Sequence, residues 1–547
     1  MPEPRSQHRR PRHPSRRPLL LFAVLLTLTV PLLTAGPGAQ AGDGRRDARA
    51  PRLDPVRARP ADDLVDAFGV QTHLAYPGTP YQDVAKVRQA LTGLGVRHVR
   101  DQLYVGRPAL YAAMRTIAGS GVRFNLIMGN PISWETPELL VRTLAEHVPH
   151  GVVESLEGAN EWNLKGRSGW ARELRQHQAA LRAAAAADPA TADLPLLAPA
   201  LGMRTGFQAL GDLTGSADLN NVHIYPGGRS PATWIAELLA LALRHVLPEA
   251  PVMVTEGGYH NAMNTTSGHH PTPERVVGVY APRMLLEHFR RGTERFYMYE
   301  LVDEGPEPAL VDPEAHFGLV RSDFTPKPAY RALRHLLQLA EDPGPAIRPG
   351  TLAYEVEDAP LDLHQVLLQR RDGDFVLLLW RDVSVYDRVS ERGLRVEPAP
   401  VTVQLDRRRT VAVHRPSRSG DAVASVHGSQ VPVSLTGDVV ALRISGDGPA
   451  PSLPSRPRRV RAHLDDGDAV VSWRAPRLRG ASRIRHYRVV RHPGGEAVTL
   501  GRRARSVRIP VPPRATQLRF AVRARNATGL GRASFAEPLG ADRPAGR

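Results

Sequence analysis

The chain has 547 residues, enough at roughly 100–200 residues per domain for three or four folded domains. Apolar residues make up 42% and charged residues 23%, which excludes a chain that is disordered over most of its length. There is no cysteine, so disulfides, thiolate nucleophiles and cysteine-ligated metal centres are excluded. Lysine occurs only at Lys86, Lys165 and Lys327, and none of these follows a glycine-rich loop, which excludes a phosphate-binding P-loop.

The net charge of +17 is concentrated at the two ends of the chain. Residues 1–60 carry a net charge of +8 and residues 451–547 a net charge of +16, which leaves −7 for residues 61–450. A nucleic-acid-binding domain carries its positive charge on the folded surface that contacts the phosphates. The mildly acidic central body therefore argues against a nucleic-acid partner.

Residues 1–41 have the pattern of a secretory signal peptide. Arginines up to Arg17 precede an apolar run over Leu19–Leu33, and Ala39-Gln40-Ala41 is typical of a peptidase site. The sequence Ser15–Leu20 also resembles a twin-arginine export signal. A membrane anchor is the alternative, but a run of ~16 residues interrupted by a proline is shorter than the ~20 that span a bilayer. We expect a secreted protein without a membrane span after cleavage, and a linker over residues 42–65.

Over residues 66–343, eight short β-rich runs alternate with helical patterns. Thr79-Pro80 and Thr136-Pro137 each predict a helix N-cap, Gly93-Leu94-Gly95 predicts the end of the first helix, and Gly169–Ala187 is a long alanine-rich helix. Eight units in about 270 residues predict a (β/α)₈ TIM barrel. A doubly wound sheet is the alternative, but Phe68–Tyr76 lacks the glycine fingerprint that usually follows its first strand. The predicted strands are Phe68–His73, Val96–Leu103, Val122–Met128, Val152–Leu156, Pro195–Ala198, Leu219–Ile224, Pro251–Val254 and Phe296–Leu301.

Polar residues follow these apolar runs at the point where each strand ends. In a barrel the chemistry lies at the carboxyl ends of the strands, because the loops that follow them converge there. The pattern therefore predicts a functional site at this end. The polar residues are His73, Arg100, Asp101, Asn130, Asn160, Glu161, His223, Tyr225, Glu256 and Glu300.

Glu161 and Glu256 form a candidate catalytic pair. They follow strands 4 and 7, which lie across the barrel mouth from each other. Glycoside hydrolysis needs two such carboxyl groups, because one protonates the departing oxygen while the other attacks or activates water. A separation of about 5–5.5 Å gives retention of configuration and one of about 6.5–9.5 Å gives inversion. The alternative is that either residue is a solvated loop carboxylate.

At these residues the sequence resembles the clan of (β/α)₈ retaining glycoside hydrolases that place Asn-Glu after strand 4 and a nucleophilic Glu after strand 7. The resemblance covers roughly residues 66–340 and implies that Glu161 is the acid/base and Glu256 the nucleophile. It further implies that Asn160 binds the 2-hydroxyl of the sugar and that Arg100 keeps the nucleophile ionised.

The same resemblance assigns further residues to the lining of the site. His223 and Tyr225, in His-Ile-Tyr-Pro after strand 6, match site-lining positions, and Tyr225 is expected to donate to Glu256. Clan members often have Pro after the strand-4 Glu and Trp at the end of strand 8, where this chain has Trp162 and Tyr297–Glu300. We include Glu300 among the expected substrate-binding residues.

Four aromatic residues near these motifs are candidates for stacking on sugar rings, although each alone is more typical of packing. They are Trp134, Trp162, Trp170 and Tyr259. His260 and the pair His269-His270 lack the spacing of a metal site, because adjacent residues of a strand point to opposite faces. We expect neither a metal nor another cofactor.

The rest of the chain is predicted to be β-rich. Residues 350–446 alternate polar and apolar positions and predict a β-sandwich, and residues 445–457 form a Pro/Ser/Gly linker. In residues 458–540, Trp473, Tyr487 and the run Thr516–Asn526 resemble a fibronectin type III domain, with Leu518 at the usual tyrosine-corner position. The arginines of this module suggest attachment to an anionic cell-wall surface, and a solvated arginine-rich face is the alternative.

The sequence as a whole predicts an exported retaining glycosidase acting on a carbohydrate substrate. The alternative is a catalytically inactive barrel that binds carbohydrate or mediates surface adhesion.

Overall fold

The computed structural model describes residues 53–492, 494–511 and 518–539. The predicted signal peptide lies outside these residues. The sheet that carries the site has eight parallel strands: β1 (Phe68–Gln71), β2 (His98–Gln102), β3 (Arg123–Ile127), β4 (Val153–Glu157), β5 (Leu196–Leu197), β6 (Asn220–His223), β7 (Val252–Glu256) and β8 (Arg295–Met298).

These strands close into a barrel. Within the group β1 to β5, each strand pairs in parallel with the next one along the chain. The same holds within the group β6 to β8. Strand β8 returns to β1 through Phe296 opposite Phe68, and the Leu197–Leu219 bridge joins β5 to β6. Each of these eight strands overlaps one of the predicted runs, so the barrel prediction is confirmed.

Nine α-helices occur in the described part of the chain: α1 (Asp62–Asp66), α2 (Val84–Leu94), α3 (Pro108–Ala118), α4 (Pro137–His147), α5 (Trp170–Ala187), α6 (Gly206–Leu210), α7 (Ile235–His245), α8 (Glu274–Arg290) and α9 (Pro328–Ala340). None of them combines the length and apolar character needed to cross a bilayer. Helix α4 begins as predicted, because the Thr136 hydroxyl accepts from the backbone N–H of Leu139 at 3.3 Å. The prediction for Thr79 is wrong. Pro80 starts a separate 3₁₀ turn, and Asp83 caps α2 by accepting from the N–H of Lys86 at 3.1 Å.

A second, antiparallel sheet packs against α8. Its main strands are Thr351–Glu357, Leu363–Gln369, Phe375–Arg381, Ala399–His414, Ala422–Leu435 and Val440–Ile444. The long strand Ala399–His414 pairs with Thr351–Glu357 through its first half and with Val440–Ile444 through its second half, and its register shifts in between. These six strands belong to one hydrogen-bonded sheet that encloses a shared apolar core. The predicted β-sandwich would have two separate sheets.

The linker predicted over residues 42–65 is wrong from residue 55 onward. Pro55–Arg57 pairs with Thr351–Glu357 at one end of the second sheet, and Arg59–Pro60 pairs with Leu363–Gln369 at the other. Helix α1 then leads into β1, so this segment ties the start of the barrel to the second sheet.

The last part of the described chain contains a three-stranded and a four-stranded sheet. The first consists of Arg458–Asp465, Asp468–Arg474 and Ser506–Pro510, and the second of His486–His492, Ala497–Gly501, Arg519–Arg525 and Ser534–Phe535. Trp473 and Tyr487 meet in their shared core with ring centroids 5.4 Å apart. Leu518 is buried in the same core.

Candidate active site

A cleft of about 760 Å³ lies at the carboxyl ends of the barrel strands. It is built from strands β2, β6 and β7 and from the loops that follow the strands, in the manner of barrel enzymes. Eight of the ten polar residues predicted at the strand ends line it: His73, Arg100, Asp101, Asn160, Glu161, His223, Tyr225 and Glu256.

Arg100 organises the floor of this cleft. Its fully buried guanidinium donates to both carboxylate oxygens of Glu157 at 2.8 and 2.6 Å and to Oε1 of Glu256 at 2.5 Å. It also donates to Oδ1 of Asn160 at 2.8 Å and to Gln71 at 2.9 Å. Burial acts to lower the pKa of Arg100, but the negative charges of Glu157 and Glu256 outweigh burial and raise that pKa. The guanidinium therefore stays charged and holds Glu256 and Asn160 in fixed positions.

Glu157 is a buried carboxylate that the sequence analysis did not single out. Besides the two bonds from Arg100, its oxygens accept from Asn125 at 2.5 Å and from Asn221 at 3.0 Å. An acceptor-only group is thus surrounded by donors, as a buried ionised carboxylate requires. Its signal in the sequence was a single acidic residue at the end of strand 4, four positions before Glu161.

Glu161 and Glu256 lie close together on the cleft wall. One carboxylate oxygen of each, together with a ring nitrogen of His223, lie within 4.8 Å of one another. The 4.8 Å is an upper limit on the distance between the nearest oxygens, so the two carboxyl groups are close enough to act on one bond between them. The side chain of Glu161 is 24% exposed and that of Glu256 is 9% exposed, so Glu161 is the more open of the two.

The backbone of Glu161 adopts the left-handed conformation, with φ 45° and ψ 36°. Such a conformation costs a non-glycine residue about 1–3 kcal/mol and is found mainly at functional sites. The next residues form the turn Trp162–Leu164. The conformation of Glu161 breaks the chain direction after β4, and its carboxylate reaches the cleft.

His223 joins the two carboxylates. Its Nδ1 lies 2.7 Å from Oε1 of Glu161 and 3.4 Å from Oε2 of Glu256, and its Nε2 lies 3.1 Å from the hydroxyl of Thr255. That hydroxyl is 2.7 Å from Oδ1 of Asn221, to which it donates its only proton. Nε2 of His223 is therefore a donor, and the short contact to Glu161 carries one shared proton.

The charges around this pair fix where the shared proton lies. Burial acts to lower the pKa of His223, but the negative charge of Glu256 and the bond to Glu161 outweigh it, so the pKa is raised. Burial acts to raise the pKa of Glu161, but the hydrogen bond and charge of His223 outweigh it, so that pKa is lowered. The proton therefore resides mainly on His223, whereas a carboxylic acid that serves as a general acid commonly has a raised pKa.

Tyr225 holds the second oxygen of Glu256. Its hydroxyl donates to Oε2 at 2.7 Å, while Arg100 occupies Oε1. Burial, with the charge of Glu256 adding to it, raises the pKa of Tyr225 well above its ordinary value, so the phenol remains a donor. Gly258 lies two residues after Glu256, and a Cβ there would come within 2.3 Å of the carbonyl oxygen of Tyr299. Glycine thus allows the β7 loop to pass close to the β8 loop.

The predicted sugar-stacking residues do not line the cleft. The indole N–H of Trp162 donates to Glu173 at 2.7 Å, and its ring is packed in the barrel core together with part of Trp170. The hydroxyl of Tyr259 donates to the backbone of Arg229 at 2.9 Å, and that ring is buried as well. Trp134 is 70% exposed to solvent outside the cleft.

Glu300 also lies outside the cleft wall, which corrects its assignment to direct substrate binding. It is fully buried and accepts from the hydroxyl of Tyr81 at 2.8 Å. Burial raises the pKa of Glu300 well above its ordinary value, and the charge of Glu304 adds to this effect.

Other aromatic residues line the cleft in place of the predicted ones. Trp234 follows β6 in a left-handed conformation with φ 71°, and the guanidinium of Arg204 lies 4.5 Å from its ring centroid. Tyr299 and Phe317 meet edge to face with ring centroids 5.1 Å apart. His73, which follows β1, stacks on Tyr76 with ring centroids 4.3 Å apart. A lone aromatic in a loop carries no periodic signal, and so the sequence analysis missed Trp234.

The three histidines of the β7 loop do not assemble a metal site among the described residues. His269 lines the cleft, and its backbone carbonyl oxygen lies 3.2 Å from Nε2 of His260. Burial lowers the pKa of His260 to about 4.

No protein-family model and no curated protein matches the chain. Solved structures that match include a family 39 glycoside hydrolase from Bacteroides cellulosilyticus, which is 17% identical with a TM-score of 0.46 over 71% of this chain and 81% of that one. A monomeric beta-xylosidase from Caulobacter crescentus is 16% identical, with a TM-score of 0.47 over 72% and 98% of the two chains. A glucosidase from Croceicoccus marinus is 12% identical, with a TM-score of 0.48 over 72% and 97%. At these identities and TM-scores, no activity or substrate carries over from those proteins to this chain.

Proposed function

We propose that the protein is a retaining glycoside hydrolase of the clan that its sequence resembles. The observation that carries the proposal is the pair Glu161 and Glu256, with carboxylate oxygens within 4.8 Å across an open cleft. Glu256 suits the nucleophile, because Arg100 and Tyr225 bind one oxygen each and hold the carboxylate in a single orientation. Glu161 suits the acid/base, because it is the more exposed carboxylate and shares a proton with His223.

In the first step Glu161 gives its proton to the glycosidic oxygen while Glu256 attacks the anomeric carbon. The glycosidic bond breaks, the alcohol leaves, and a glycosyl ester forms on Glu256. In the second step Glu161 removes a proton from water, which attacks the same carbon and releases Glu256. His223 returns its proton to Glu161 along the 2.7 Å contact before each cycle. Asn160, whose carbonyl oxygen is bound by Arg100, has its amide N–H directed to a sugar hydroxyl.

The test is the Glu256→Ala variant with an aryl glycoside and sodium azide. We expect turnover to fall by a factor of about 10⁴ or more without azide, and azide to restore it with a glycosyl azide of inverted configuration. Glu146→Ala, on the exposed face of α4, is the matched control and should behave like the parent protein. Undiminished hydrolysis by Glu256→Ala would refute the assignment, and sugar binding without turnover by the parent chain would favour the inactive barrel.

The remaining parts of the chain fit an exported enzyme. We propose that residues 1–41 direct export, which N-terminal sequencing of the secreted protein tests by finding Gly42 as the first residue. The seven strands around Trp473 and Tyr487 support a fibronectin type III-like module. We propose that its arginines bind anionic cell-wall polymers. Retention of the full chain on cell walls should then fall as salt is raised, and retention that is insensitive to salt would refute the binding.

A further inference from the structure

Three side chains beside the cleft converge at the junction of β8 and β1. His73 follows β1, while Glu300 and Glu304 follow β8, and the pairing of these two strands brings them together. One ring nitrogen of His73 and one oxygen of each carboxylate lie within 4.8 Å of one another. His73 lines the cleft, Glu304 is half-buried and Glu300 lies behind them.

Two polar atoms of this cluster are buried and have no hydrogen-bond partner. They are Nε2 of His73 and Oε1 of Glu300. His73 is 91% buried and Glu300 is completely buried, so water does not freely solvate either atom. Oε2 of Glu300 accepts from Tyr81, and Nε2 of His73 lies 3.5 Å from this oxygen without bonding to it. Leaving a buried polar group unpaired costs about 1–3 kcal/mol, and such a group in a native structure calls for a missing partner.

The protein supplies no cationic side chain to the two carboxylates. Among the described residues, no arginine or lysine forms an ion pair with Glu300 or Glu304. Arg295, the basic residue nearest in sequence to Glu300, is paired with Glu154 at 3.2 Å, and Lys327 is paired with Asp303 at 2.7 Å. Two carboxylates and an imidazole therefore face a common point with only the tyrosine hydroxyl as a donor.

The catalytic pair provides an internal comparison. Glu161, His223 and Glu256 also place ligand atoms within 4.8 Å of one another. There, however, His223 binds Glu161 while Arg100 and Tyr225 bind Glu256, so these groups have partners within the protein. In both clusters the ligand atoms are close together. Of the two, only the His73 cluster also has buried polar atoms without a hydrogen-bond partner.

We propose that His73, Glu300 and Glu304 bind a divalent first-row transition-metal ion, Zn²⁺ or Mn²⁺. One imidazole and two carboxylates are a common ligand set for these ions, whereas Ca²⁺ favours six to eight oxygens. The ion partners the free atoms of His73 and Glu300, neutralises the carboxylates and ties β1 to the β8 loop. The site is separate from the proposed carboxylate pair and is independent of its activity.

The experiment is a calorimetric titration of the chelator-treated full chain with ZnCl₂, and separately with MnCl₂ and CaCl₂. We expect one site per chain for Zn²⁺ or Mn²⁺, at least tenfold weaker binding of Ca²⁺, and a higher Tm with the bound ion. Glu304→Gln and His73→Ala should each weaken binding at least tenfold. Asp312→Asn, an exposed acidic residue of the same loop, should bind like the parent.

A second variant decides between the two clusters. Glu161→Gln should leave the metal affinity unchanged if the ion lies at His73. The proposal is overturned if Glu161→Gln abolishes binding while His73→Ala does not, since the ion would then lie at the carboxylate pair. It is also overturned if the parent chain binds neither Zn²⁺ nor Mn²⁺. Circular dichroism of each variant shows that the fold is retained, and Glu304→Gln keeps the test valid if His73→Ala does not fold.

Discussion

The shared proton of Glu161 and His223 makes a directional prediction for the pH dependence of catalysis. The ordinary pKa values of the two groups are 4.5 and 6.5, and the site lowers the first and raises the second. The gap between the two pKa values is therefore wider than the gap between the ordinary values. The pair loses its last proton only above pH 6.5, and acid catalysis that draws on this proton should persist to that pH.

The perturbation is His223→Asn, which places an amide near the position of Nδ1 and cannot titrate. The pair is then reduced to Glu161, whose pKa is set by burial, which raises it, and by the positive charge of Arg100, which lowers it. The basic limb of kcat/KM, the pH range in which activity falls as pH rises, should accordingly move from above pH 6.5 toward the carboxylate range.

The assay is kcat/KM for an aryl glycoside over pH 3–10, with Glu146→Gln as the control whose limb should not move. The direction of the shift decides the argument. If the limb of the parent belonged to Glu161 alone, it would lie below pH 4.5, and removing the positive charge of His223 would move it to higher pH. A limb that moves upward, or does not move, refutes the shared proton.

Three further variants probe other parts of the site. Tyr225→Phe removes a charge-assisted hydrogen bond worth about 1.5–3 kcal/mol from Glu256, so kcat/KM should fall about 10- to 100-fold with an unchanged circular dichroism spectrum, and parent-like activity would contradict its role. Glu157→Gln should lower the free energy of unfolding in urea by about 3–5 kcal/mol, whereas Glu146→Gln should stay within about 0.5 kcal/mol. Trp134→Ala should leave KM unchanged, and a tenfold rise would place the ring in the substrate path.

The barrel and the carboxylate pair were predictable because both depend on patterns of a few consecutive residues. Parallel strands buried on both faces appear as continuous apolar runs, and the change to a polar residue marks the strand end. Glu161 and Glu256 follow two such runs, so the closure of the barrel alone brings them to one cleft. The observed strand boundaries differ from the predicted ones by at most three residues, and the largest difference is at β8, which ends at Met298 and not at Leu301.

The aromatic lining was not predictable, because neighbours in sequence need not face the same way. Trp162 is next to Glu161, yet the left-handed backbone of Glu161 turns the following ring into the core, where Glu173 accepts its N–H. Trp234, eleven residues after His223, reaches the cleft through a second left-handed residue in an irregular loop. Loop conformation has no period from which it could be derived, and so the stacking residues were assigned to the wrong positions.

The arrangement of Arg100 is compatible with the nucleophile role that we propose for Glu256. Arg100 makes two of its five hydrogen bonds to the buried Glu157 and only one to Glu256. With His223 protonated and Glu161 ionised, two positive and three negative charges occupy the site. In the proposed mechanism this excess negative charge stabilises the positive charge that develops in the oxocarbenium-like transition state. Glu157 thus fixes Arg100 in place while leaving Glu256 its charge, and for this reason its loss should harm catalysis as well as stability.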